Sequence, residues 1–147
     1  MMFRRLRGDT RGVVSVEFAI TGLMLCLMTF AIIESGLLWW LRSGMQVTAA
    51  MTARCGAIGY AYNTSNCFVG NAAATKNYAV SVANSFVLPN MVQTTDVTIN
   101  GTNGLVSTCN GQAGNYFSVT ITSNAFKFLP PPLGNLSLTS NACYPLP

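Results

Sequence analysis

Residues 13–41, VVSVEFAITGLMLCLMTFAIIESGLLWWL, form a nearly unbroken apolar run in which Glu17 and Glu34 are the only charged residues. The run exceeds the roughly 20 residues that a helix needs to cross a bilayer. It is too long for the core of an ordinary secretory signal, and no small-x-small cleavage site follows its core. Trp39 and Trp40 close it, and aromatic side chains favour the headgroup level. Past the run, Val47, Ala50, Met51, Arg54 and Ile58 recur at i, i+3, i+4 spacing. Ala49, Ala50 and Ala53 are good helix formers. The pattern predicts one helix from about Val13 to about Ile58, with Gly44 in its interior and Gly56 near its end.

The polar remainder carries shorter patterns. Residues 72–89, AAATKNYAVSVANSFVLP, place Ala79, Val82, Ala83 and Phe86 on one helical face. Val80 and Val82 also fit a strand, but a second helix is the favoured reading, and Pro89 ends either element. TDVTIN and LVSTCN flank GTNG, where Asn103-Gly104 is a hairpin signal. In NYFSVTITS, Phe117, Val119 and Ile121 alternate with Tyr116, Ser118, Thr120 and Thr122, as in a half-buried antiparallel strand. LPPPLG is a loop, since three prolines cannot donate to a ladder. NLSLTSNACY is the last strand. The expected fold class is α+β. A long N-terminal transmembrane helix continues into a small domain with a second helix and an antiparallel sheet.

Charge fixes the expected orientation. Arg4, Arg5, Arg7 and Arg11 stand against Asp9 ahead of the apolar run. The remaining charges, Arg42, Arg54, Lys76 and Lys127 against Glu17, Glu34 and Asp96, nearly balance. The net charge of +4 is therefore mostly an N-terminal block. By the positive-inside rule it holds the N-terminus in the cytoplasm and sends the rest out. The expected organisation is a basic cytoplasmic leader (1–12), a transmembrane helix (13–41) and a periplasmic α+β domain (42–147). No basic stripe suggests a nucleic-acid surface.

The scarcity of charged residues and the lack of histidine weaken enzyme readings, because acid–base and metal chemistry draw on His, Asp and Glu. No catalytic residue, metal ligand or cofactor is expected. Cys26 lies in the span as a small apolar residue. Cys55, Cys67, Cys109 and Cys143 fall in the exported part, where disulfides persist. Four cysteines allow three pairings, among which sequence alone does not choose. The favoured set is Cys55–Cys67, a short loop after the helix, with Cys109–Cys143 joining two β segments. Four free thiols are the alternative.

An acid inside a span is a functional hypothesis by default. Glu17 lies about 7 Å of helix from Gly12, so it could reach the cytoplasmic interface or pair with Arg11 and have no further role. If a peptidase cuts after Gly12, however, Val13 carries a free amine and Glu17 becomes the fifth residue. A carboxylate buried among apolar helices needs an opposite charge, and the amine of a neighbouring subunit supplies one. Glu34 lies about 32 Å along the helix from Val13. It is either a solvated carboxylate at the outer interface or a subunit contact, for example with Arg42 or Arg54 of a neighbour. Gly22, Ala31, Ser35 and Gly36 would permit close helix approach, and equally suit an ordinary span.

Gly12, Val16-Glu17-Phe18-Ala19 and Ile32-Ile33-Glu34 with Gly36, behind a basic leader, resemble the TadE-like minor pseudopilins of tight-adherence (Tad, or Flp) pili, within the type IV prepilin superfamily. The resemblance is specific over residues 4–41 and looser beyond. Major Tad pilins usually carry Glu-Tyr and are much shorter, so the resemblance is to a minor component. It implies a pilin-like fold and processing by a prepilin peptidase at Gly12–Val13, with Glu17 and Phe18 in the recognised pattern. It implies partners rather than catalysis: other minor pseudopilins, the pilin and the inner-membrane Tad platform. The implied place is the bacterial inner membrane, with the domain in the periplasm or the subunit incorporated into the pilus. Two other classes compete. One is an uncleaved single-pass membrane protein with a periplasmic binding domain. The other is an anchored enzyme whose only chemical route would be an unpaired Cys55 or Cys109.

Overall fold

A computed structural model describes residues 11–62, 67, 72–87, 89–123 and 137–146. The fold is α+β: α1 (Arg11–Tyr62), α2 (Ala72–Phe86), β1 (Val97–Ile99), β2 (Leu105–Cys109), β3 (Gln112–Ser123) and β4 (Leu138–Pro145). The chain divides into two compact units, Met1–Trp39 and Trp40–Pro147, with α1 contributing to both. LPPPLG, Arg4, Arg5 and Arg7 lie outside the described residues.

In the first unit, α1 exposes its apolar side chains on every side: Phe18 is 79% exposed and Met28 and Ile32 are each 71% exposed. No window of this helix's most apolar stretch is buried within the protein, and its length and composition suffice to cross a membrane. A helix this apolar and this exposed is suited to a lipid surrounding and suggests membrane anchoring. Its hydroxyls suit that surrounding. Thr21 donates to the Glu17 carbonyl, Thr29 to that of Leu25 at 2.8 Å, and Ser35 to that of Ile32 at 2.9 Å. Polar side chains bonded to their own helix leave no unpaired donor in lipid.

In the second unit the buried face of α1 is not the one that carries the i, i+3, i+4 recurrence. Residues 40–62 do form helix, but Ala50, Met51, Arg54 and Ile58 are exposed and Val47 is only half-buried. The buried stripe is Leu41, Met45, Thr48, Ala49, Thr52, Ala53 and Ala57, with Gly44 and Gly56 between them. Size decides the face. Small residues let the backbone of α1 approach its neighbours closely, while the bulkier Met51 and Ile58 stay outside. Thr48 and Thr52 enter the core at little cost because each hydroxyl donates one turn back, to Gly44 O at 2.8 Å and Thr48 O at 2.7 Å.

Helix α2 follows from the Ala72-Ala73-Ala74 start and buries Thr75, Ala79 and Ala83, one residue per turn. Phe86, expected on that face, is 41% exposed, and Val87 takes the buried place instead. The helix ends at Phe86; past Pro89, Asn90 adopts φ 63° and its N–H donates back to Asn84 Oδ1 at 3.1 Å. The N-terminal turn is tied by Thr75, which donates to the Cys67 carbonyl, and Cys67 is bonded to Cys55 on α1. The last turn meets α1 at Gly44, where a Cβ would stand 2.7 Å from Phe86 O. Helix α2 therefore runs antiparallel to residues 40–62.

Among the described residues, all strand pairings pass through β3. Its N-terminal half pairs β2, its C-terminal half pairs β1, and β4 runs along its other edge from Tyr116↔Pro145 to Ser123↔Leu138. β1 and β2 are not a hairpin, contrary to the reading of Asn103-Gly104. They are one edge strand interrupted by a loop. Asn100 N donates to Ser118 O at 3.0 Å and Ser118 N donates to Gly104 O at 2.8 Å, so both ends of the loop meet the same residue. Asn103-Gly104 does turn, with φ 56° and 89°, but closes only the bridge Thr102↔Leu105. The hairpin turn is Asn110-Gly111, with φ 49° and 82°, between the paired Cys109 and Gln112. Two positive φ values in a two-residue loop are the type I′ pattern. Replacing Gly111 by Val puts a β-branched residue in left-handed space at a cost of about 1–2 kcal/mol, although a Cβ there meets nothing. A fall in the urea midpoint of the domain checks this.

The alternation of β3 is as the sequence predicts on one face: Phe117, Val119 and Ile121 are fully buried. On the other face, Asn100 covers the sheet by donating from Nδ2 to Ser118 Oγ (2.9 Å) and Thr120 Oγ1 (2.8 Å).

Candidate functional site

The candidate site lies at the N-terminal end of α1. Gly12 is the second residue of the helix, and a Cβ there would meet nothing within 4 Å. Val13 is 60% exposed. One turn further, Glu17 and Phe18 share a shallow open groove with Val14, Ile20 and Thr21. Helical geometry sets this arrangement: Val14, Glu17, Phe18 and Thr21 follow i, i+3, i+4, i+7 and line one face. Among the described residues no side chain pairs with the Glu17 carboxylate. Its surroundings on the helix are apolar, where a charge without a partner is penalised.

Glu34 is half-buried on the same helix. It stands about 25 Å along the axis from Glu17 and roughly a quarter turn around it. The two acids therefore do not share a face. Nor do the small residues form one stripe in this unit. Ala31 and Ser35 are one turn apart, but Gly22 is about two and a half turns before Ala31 and points to the opposite side. The side chain of Arg11 lies outside what the structure describes.

In the second unit the four remaining cysteines lie in two pairs. Cys55 joins Cys67 at a Cα separation of 5.6 Å, and Cys109 joins Cys143 at 6.3 Å. Both separations are ordinary for disulfides. Cys26 is free and exposed. Among the described residues no three of His, Cys, Asp and Glu cluster as a metal site.

Residues 12–54 match the family model described as TadE-like protein. This segment is TadE-like. The TadE-like stretch begins at Gly12, contains Glu17, Phe18 and Glu34, and ends at Arg54, one residue before the first disulfide cysteine. It also takes in most of the buried stripe of α1, from Leu41 to Ala53. No curated protein and no solved structure matches the chain. The stripe is the feature that hydrophobicity alone misses. Its signal in the sequence is the recurrence of small residues one turn apart: Gly44, Thr48, Thr52 and Gly56 on one line, Ala49, Ala53 and Ala57 on the next.

Proposed function

We propose that this chain is a minor pseudopilin that takes part in initiating or assembling a Tad (Flp) adherence pilus. The TadE-like segment supports association with the Tad pilus machinery. The observation that carries the finer reading is Glu17: an acid with no side-chain partner among the described residues, on an exposed apolar stretch of helix, five residues after Gly12, at the start of the TadE-like match. In this reading a prepilin peptidase hydrolyses the Gly12–Val13 bond. Water is consumed, Gly12 leaves with a carboxylate, and Val13 keeps an ammonium. That ammonium meets Glu17 of a neighbouring subunit in the membrane. The pair fixes axial register, because a shifted subunit leaves both charges buried and unpaired. The apolar faces supply the bulk of the contact. Arg4, Arg5, Arg7 and Arg11 hold the leader in the cytoplasm, and the domain stands in the periplasm. Glu34 is a second subunit contact nearer the outer interface. The partners are other minor pseudopilins, the pilin and the inner-membrane Tad platform, and the role is structural.

Isolation from native membranes followed by N-terminal sequencing tests this. The expected first residue is Val13. Met1 or Met2, in cells whose pilin is itself processed, removes the amine and sinks the register pair. An uncleaved single-pass protein with a periplasmic binding domain then takes its place.

A further inference from the structure

We infer that the C-terminal end of α2 is a foot by which the second unit rests on the phospholipid headgroups. The inference builds on the proposed reading of residues 13–41 as a membrane span. That run is helical throughout and rises about 42 Å, the thickness of a bilayer with its headgroups. Its last residue, Leu41, therefore sits at the outer headgroup level. Gly44 is about 4.5 Å further along. It is here that α2, running antiparallel, brings its last turn down onto α1: Phe86 O and Val87 Cγ2 lie 2.7 and 3.0 Å from where a Gly44 Cβ would be. The opposite end of α2 is tied through Cys67 to Cys55, eleven residues beyond Gly44 on α1.

The side chains at this level have the composition of an interface. Phe86 remains 41% exposed although it sits on the turn that packs against α1, and Trp40 is 46% exposed. Trp40 is one turn before Gly44, so it lies on the same side of α1 as the end of α2. Arg42 is exposed between them in sequence. Aromatic rings settle at the headgroup level, and an arginine there meets lipid phosphate. Elsewhere on α2 the buried positions are Thr75, Ala79 and Ala83, so the exposed ring of Phe86 is not needed for the domain's own core. The occupant that the chain itself brings to this place is the bilayer, because the apolar span ends within one turn of it.

The test uses the full chain in phospholipid vesicles, with nitroxides on single cysteines in a Cys26→Ser background so that no other free thiol remains. The labels go at Ser85→Cys beside the foot, at Asn77→Cys about two turns back along α2, and at Ile33→Cys in the span. Collisions with oxygen report lipid, and collisions with a water-soluble nickel chelate report water. The expected result is lipid-like access at 33 and water-like access at 77. At 85, nickel access falls roughly threefold or more below that at 77, as suits the headgroup level. Adding Phe86→Asp is expected to raise nickel access at 85 toward the value at 77. Water-like access at 85 with lipid-like access at 33 overturns the foot and leaves the span intact. Water-like access at 33 overturns the span reading and the foot with it. Shielding of 85 from both reagents, with spin–spin broadening between molecules, overturns the lipid contact in favour of a second copy.

Discussion

Gly56→Ala is expected to destabilise the second unit by about 3 kcal/mol, the upper end of overpacking costs. A Cβ at position 56 would stand 2.2 Å from Phe117 Cε1 and 2.5 Å from Cζ. The ring cannot move aside. On its other edge it meets Gly104, where a Cβ would lie 2.3 Å from Cε2, and Phe117 is fully buried. Two glycines, one on α1 and one on the edge loop, thus clamp a single ring. Gly104 is fixed twice over, since its φ of 89° also disfavours any side chain. A loss of this size raises the open population roughly a hundredfold. It is read as the urea concentration at which full-length protein in detergent becomes sensitive to thermolysin. Phe117→Leu should restore part of the loss in the double variant, because both changes act on one contact. An unchanged midpoint for Gly56→Ala would mean that the helix does not pack on the ring.

The second large effect is expected from replacing Cys109 and Cys143 together by Ala. The pair is separated by 34 residues in sequence, and the chain-entropy account then gives about 3–4 kcal/mol. The bond joins β2 to β4, the two strands that lie on opposite edges of β3. Removing it releases both edges from each other while leaving every ladder hydrogen bond in place. The shorter Cys55–Cys67 loop, with a separation of 12, should lose slightly less by the same account, about 3 kcal/mol. The same urea series, with and without reductant, measures both. Wild type and the double variant should converge when reductant is present and diverge when it is absent. Coincident curves without reductant would show that this bond contributes nothing to stability.

How far the sequence reveals the fold depends on which signal each element uses. The long helix and the alternation of β3 are legible because large apolar side chains carry them: Phe117, Val119 and Ile121 are all buried. The buried face of residues 40–62 is not legible in that way. Its packing rests on small side chains, and a hydrophobic pattern weights Met51 and Ile58, which the fold leaves outside. The three Asn-Gly pairs, at 100–101, 103–104 and 110–111, look alike in sequence, yet only Asn110-Gly111 joins two strands as a hairpin. What separates them is whether the flanking residues have each other or β3 as partner, and that is a long-range matter. At the candidate site, the placing of Gly12 and Glu17 is legible from spacing alone. A partner for the carboxylate is not, because the proposed partner belongs to another subunit.

Among the described residues, each pairing between strands includes β3, and β1 and β2 make none with each other. The order of synthesis gives this a consequence. Both helices and the whole of β1 and β2 leave the ribosome before residues 112–123, and until those residues arrive there is no sheet to form. Helix α2 is made in time to cover Gly44, but the part of the stripe around Gly56 must wait for Phe117, encoded about sixty positions later. Non-local pairing of this kind is slow and exposes a nascent chain to misassociation. A stripe built mainly of glycine, alanine and threonine presents little large apolar surface during that interval. The small residues that later permit tight packing also make the unfinished chain less adhesive.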